Sequence, residues 1–253
     1  MEKLKVNMQR KWEFSFKKNT LSGIPLLRVA GISSIIIFLL CLSFSTCNAA
    51  SLLLGYGPSN TVSGWWMHRI TPSTGAYTRL YRMDDNGQDL DIRMMTFNTS
   101  NVKIYGYGPS NTVSGWWMHK ITPSTGVYTR LYQMDDNGQA LDIRMMTFNT
   151  ADGKIYGYGP SNTVSGWWMH NITPSTGAYT RLFQLNDSGQ ALDIRMMTFN
   201  PNNGKIYGYG PSNTVSGWWM HQIDPSTGAY TRLYKMNDNG QALDIRMLEY
   251  ASF

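Results

Sequence analysis

One string of thirteen residues, Tyr-Gly-Pro-Ser-Asn-Thr-Val-Ser-Gly-Trp-Trp-Met-His, begins at Tyr56, Tyr107, Tyr158 and Tyr209, so a 51-residue unit recurs four times. Periods of about 40–50 residues belong to propellers and solenoids, in which each repeat buries its apolar face only against its neighbours. Near-identity between the copies points to recent duplication. Sameness between them is therefore no sign of selection.

One unit reads as four short strands. In the second repeat these are Leu90–Asn98, with Leu90, Ile92 and Met94 alternating against Asp91, Arg93 and Met95, then Lys103–Tyr107, Gly115–Ile121 and Val127–Met134. They are rich in Tyr, Trp, Ile, Val, Thr and Met, as half-buried strands are. The gaps carry turn residues: 109–115, Thr122-Pro-Ser-Thr-Gly126 and Asp135-Asp-Asn-Gly138. No window holds a helical period. The sequence therefore predicts an all-β, four-bladed β-propeller spanning residues 50–253. The repeat region opens on a second strand at Leu52–Tyr56 and ends on a first strand at Leu243–Tyr250. Pairing that C-terminal strand with the N-terminal blade would close the ring and remove two sheet edges. A monomer is expected, with a ring shared by two chains as the alternative.

The segment before the repeats is different. Residues 1–49 hold seven Lys/Arg and two Asp/Glu, and the remaining residues fifteen and fourteen, so the basic charge sits in the leader. A basic region, an apolar run from Val29 to Phe44 and the small residues Ser45–Ala50 follow the order of a secretory signal, with a cut after Ala49. Two alternatives stand beside it: an uncleaved anchor, short of the ~20 apolar residues a span needs, and a lipid-attached Cys47, preceded by a poorly matching Thr46. A secreted or periplasmic location follows, with membrane contact only through an uncleaved leader. The near-neutral body argues against a nucleic-acid partner. Charged residues at 15% and aromatics at 13% exclude a disordered chain. Both cysteines, Cys41 and Cys47, lie in the leader, so the body has no thiol chemistry.

His221-Gln-Ile-Asp-Pro-Ser-Thr-Gly-Ala-Tyr-Thr-Arg-Leu resembles the outer hairpin of quinoprotein-like and YVTN-type propellers, and Phe199-Asn-Pro-Asn-Asn-Gly-Lys-Ile-Tyr-Gly their inner hairpin. The resemblance covers the body and implies fold, not activity. The acidic and cysteine residues that would hold a quinone cofactor are missing. A fainter similarity, in Ile92-Arg93 and the nearby Trp pair, is to fucose-binding propeller lectins, whose glutamate has no counterpart in the repeat.

The candidate ligand residues are the Trp pairs Trp65/Trp66, Trp116/Trp117, Trp167/Trp168 and Trp218/Trp219, the loop amides Asn60, Asn111, Asn162 and Asn213, and the acidic turn Asp84-Asp85. Adjacent strand residues face opposite sides, so each blade sends one Trp toward each neighbour. The rings then either stack on sugars or pack blade on blade. His68, His119, His170 and His221 are too far apart around a ring to converge on one metal and are expected as polar residues between blades. Asp91/Arg93 and their copies form either an anion-binding ring or a paired network between blades. Asp84-Asp85-Asn86-Gly87 reads as a tight turn, with calcium as the alternative, since the Gly placement and closing Glu of an EF-hand are missing. The fourteen methionines of the body read as gap filling. The body has one glutamate, Glu249, and no Gly-x-Ser-x-Gly string. The expectation is a non-enzymatic binding module without cofactor. Carbohydrate is its first ligand class, and a rigid scaffold for a surface protein is the alternative.

Overall fold

The computed structural model describes residues 53–242, apart from 60, 72, 73, 75, 239 and 240, together with Leu248. The expected signal segment, Asn60 and most of the closing strand 243–250 lie outside the described residues. Within them the chain is a four-bladed β-propeller of antiparallel sheets, without helix. Blade two runs Met94–Asn98, Lys103–Pro109, Trp116–Ile121, Tyr128–Gln133 from the inside outward. Blade three repeats it with Met145–Asn149, Lys154–Pro160, Trp167–Ile172 and Tyr179–Gln184. Blade four does so with Met196–Asn200, Lys205–Pro211, Trp218–Ile223 and Tyr230–Lys235. The described part of blade one has three strands, Leu53–Pro58, Trp65–Ile70 and Tyr77–Arg82. The generic propeller resemblance of the two hairpins thus holds at the level of fold.

Two features differ from the expected strands. The innermost strand is shorter and starts at Met94, because residues 90–93 and their copies run as an irregular connection. In it Leu141 N–H donates to Met134 O and Ile143 N–H to Leu141 O, which uses the backbone locally instead of in a ladder. Leu141 and Ile143 alternate as a strand would, but what they fill is the gap between blades. Secondly, the acidic turn is itself a two-stranded hairpin, Asp135–Asp136 with Gln139–Ala140. Asn137 and Gly138 at its tip have φ of 60° and 80°. Two successive positive φ values match a two-residue type I′ turn, for which Asn-Gly is the favoured pair.

The core lies between the sheets. Three clusters of buried side chains each take residues from two adjacent blades. At the junction of blades two and three, Tyr107, Met118 and Met134 pack with Ile155 and Ile172, joined by Leu141, Ile143 and Phe148. The Tyr107 hydroxyl, fully buried, donates to Leu141 O at 2.6 Å, and Tyr158 repeats this with Leu192 O at 2.7 Å. The same bond joins Tyr56 to Leu90 O. The buried tyrosine therefore does not leave its polar end unpaired. Every outer strand carries a bulge at one place: Met118 faces Tyr132 and His119 faces Arg130, leaving Leu131 as the extra residue.

Gly159, in Tyr-Gly-Pro, sits where a Cβ would lie 1.8 Å from the Asp142 carbonyl oxygen. That obstacle is backbone and cannot rotate away. Gly159→Ala is expected to cost about 2–3 kcal/mol, read as a lower urea midpoint at unchanged slope.

Candidate functional site

The junction between blades is built from residues of both. Asp85, in the hairpin after blade one, is buried and reaches into the Pro-Ser-Asn-Thr loop of blade two. Its carboxylate accepts the Ser110 hydroxyl at 2.9 Å, the Asn111 N–H at 3.2 Å, the Thr112 hydroxyl at 3.3 Å and the Tyr128 hydroxyl at 3.1 Å. Asp136 and Asp187 do the same at the next two junctions, toward Ser161 and Tyr179 and toward Ser212 and Tyr230. Burial works against each carboxylate. The hydrogen bonds outweigh it, joined at Asp85 by the charge of Arg130, so Asp85, Asp136 and Asp187 are held below the usual carboxylate range.

The loop is held from its own blade as well. Arg130 Nη1 donates to Ser110 Oγ at 2.8 Å and to Thr112 Oγ1 at 2.6 Å. Its guanidinium lies over the Trp117 ring at 5.2 Å, a cation–π contact that recurs at Trp66, Trp168 and Trp219 with Arg79, Arg181 and Arg232. The second Trp of each pair is therefore committed to an arginine.

The first Trp of each pair points the other way, and Trp65 and Trp167 each line a cleft. Trp65, Gln88, Asp89, Leu90, Asp91, Arg93 and Asn111 enclose about 490 Å³. Two repeat lengths on, Trp167, Gln190, Ala191, Leu192, Asp193, Arg195 and Asn213 line an equivalent cleft of about 530 Å³, with Arg144, Met145 and Ile194 at its edge. Trp116, Asp142, Arg144 and Asn162 occupy the corresponding positions at the junction between them. The Trp rings are about half-buried and tilt against the buried Tyr at 5.3–5.4 Å. Asn111, Asn162 and Asn213 each donate Nδ2 to a hairpin carbonyl, of Asp89, Ala140 and Ala191, at 2.6, 2.7 and 2.8 Å. The arginine at the mouth forms a bidentate pair with the aspartate two residues earlier, Arg144 Nε to Asp142 Oδ1 at 2.5 Å and Nη2 to Oδ2 at 2.6 Å. The Asp91–Arg93 and Asp193–Arg195 pairs match it. These pairs are local and their arginines more than half exposed, so they are not the network between blades that their buried placement would require.

Of the expected ligand residues, the structure brings Trp65 with Asn111, and Trp167 with Asn213, into shared clefts. It turns Trp66, Trp117, Trp168 and Trp219 to the opposite side. Asp84 Oδ1 accepts the Gly87 N–H at 2.6 Å and thereby fixes the turn. The Asp84-Asp85 pair thus faces proton donors of the protein. The histidines pack edge-on against Tyr77, Tyr128, Tyr179 and Tyr230 at 5.7–5.8 Å. His119, His170 and His221 are fully buried, and neither ring nitrogen of any of them has a hydrogen-bond partner in the protein. Burial pushes His119 and His170 down to about 4 and lowers His221 as well. No three His, Cys, Asp or Glu side chains converge among the described residues.

No protein-family model matches this chain, and no curated protein matches it. Solved structures do match. TolB from Acinetobacter baumannii is 15% identical with a TM-score of 0.49, over 77% of this chain and 43% of that one. The extracellular domain of the hybrid two component system BT4673 from B. thetaiotaomicron is 13% identical with a TM-score of 0.40, over 72% of this chain and 21% of that one. This chain spans less than half the length of either.

The buried groups set a pH dependence. Well above pH 6.5 His119 and His170 are neutral in both folded and unfolded chains. As pH falls from there to about 4, the unfolded chain takes up protons that folded His119 and His170 refuse, so stability drops. The loss is on the order of 2–3 kcal/mol per histidine. The depressed Asp85, Asp136 and Asp187 add a further loss below the unfolded carboxylate value. Urea midpoints are expected to fall between pH 7 and pH 4.5, and less steeply in His119→Phe/His170→Phe.

Proposed function

We propose that the chain is an exported, non-enzymatic binding module whose clefts between blades take neutral carbohydrate. The observation that carries this is the recurrence of one cleft composition at two junctions, two repeat lengths apart: a half-buried indole, a bidentate Asp–Arg pair and an exposed Asn. Aromatic walls with a few fixed polar groups are the general form of a small-ligand site. An indole offers a flat apolar surface to the C–H face of a pyranose ring. The pair presents donors and acceptors side by side, the pattern that vicinal hydroxyls complete. Its charge is already matched, which favours a polyol over a carboxylate or phosphate.

The exported location is supported by the leader pattern of residues 1–49 and by a body free of cysteine. Binding by these clefts needs no metal in this reading. The alternative partner, a surface protein held by a rigid scaffold, becomes the reading if no sugar binds.

The test is a glycan array probed with the purified protein, with and without chelator. Saturable, chelator-insensitive binding is expected. It should weaken at least tenfold in the triple variant Arg93→Ala/Arg144→Ala/Arg195→Ala, whose replaced side chains are largely exposed. Silence across the array, or binding indifferent to these arginines, contradicts the assignment.

A further inference from the structure

The three junctions inside the chain supply a standard against which its two ends can be compared. At each junction an outer-strand aromatic lies on the Thr-Gly turn of the next blade. Tyr81 covers Gly126, Tyr132 covers Gly177 and Phe183 covers Gly228. The Tyr81 and Tyr132 hydroxyls also donate to the carbonyls of Pro123 and Pro174. The next copy in this series is Tyr234, on blade four, and it stands 54% exposed. From the other side, Tyr128, Tyr179 and Tyr230 each reach back to the aspartate of the preceding hairpin. Their counterpart on blade one, Tyr77, is 70% exposed.

The two ends are thus the two complementary halves of an interface that the same chain forms three times. The face of blade four carries the aromatic, and the blade one side carries the tyrosine. In the single chain both Tyr77 and Tyr234 stand exposed. The geometry points to a second copy of this chain as what covers them: blade four of each copy docks on blade one of the other, and the four blades of each chain join a common ring. Each contact is heterologous, yet a two-fold axis makes two of them and the assembly closes without leaving an open end. The cost of ordering the contact is low, since its residues sit on strands that already take this arrangement elsewhere in the chain. The inference stands apart from the carbohydrate reading and does not depend on it.

Sedimentation velocity of the full gene product, purified as its producing cell processes it, tests the inference. The expected mass is twice that of one chain over a wide concentration range. Tyr77→Glu and Tyr234→Glu should each return the mass to one chain, with circular dichroism and thermal midpoint of the monomer intact, since both side chains are exposed in it. A wild-type mass of one chain, or of more than two, overturns the inference. So does a dimer that survives both substitutions. A monomer whose thermal midpoint falls in these variants would instead show that the two ends meet within one chain.

Discussion

A buried carboxylate at each junction is the constraint on which the arrangement of this protein depends. Asp85, Asp136 and Asp187 leave one blade and are satisfied by the next, through a serine, a threonine, a tyrosine and a backbone N–H. A buried charge without such partners would be costly, and here the partners come only when the neighbouring blade is in place. The same serine and threonine accept from the arginine that covers the second Trp. The same loop carries the Asn that ties down the preceding hairpin and edges the cleft. Blade packing and cleft shape are therefore two results of one hydrogen-bond set.

This coupling explains why the cleft recurs. A unit that makes its half of the site with Trp and its other half with Asn forms no complete site alone. Duplication in tandem brings a Trp and an Asn of adjacent units together, and a cleft stands at two of these junctions. Nearly identical copies give similar clefts, of about 490 and 530 Å³. An array of equal weak sites favours a ligand that presents the same group many times, because engagement of one cleft raises the effective concentration at the next.

The repeat period and the turn residues made the four-bladed fold legible in the sequence, and the opposed directions of each Trp pair followed from strand alternation. The loops carrying Ser110–Thr112 and Asp85 meet, as the hydrogen bonds from Ser110 and Asn111 to Asp85 show. What stayed hidden were choices that depend on distance across the junction. Asp84 and Asp85 look alike in sequence, yet the first fixes its own turn and the second joins two blades. Nothing local separates them. The alternation of Leu90 and Ile92 read as strand because an irregular segment buried between two sheets meets the same demand for apolar side chains. Strand alternation leaves Asp91 and Arg93 open to an anion-binding ring or a network between blades, and on the irregular segment they pair with each other. The bulge at Leu131 is likewise announced by no residue pattern.

The most direct measure of the central claim is a double-mutant cycle across the junction of blades two and three, using Asp136→Ala and Tyr179→Phe and reading stability from urea denaturation. If the aspartate holds the blades together through these bonds, the two losses will be non-additive by about 1 kcal/mol or more. Additivity to within about 0.5 kcal/mol would contradict it, and would leave apolar packing alone as what keeps the blades, and the clefts between them, in place.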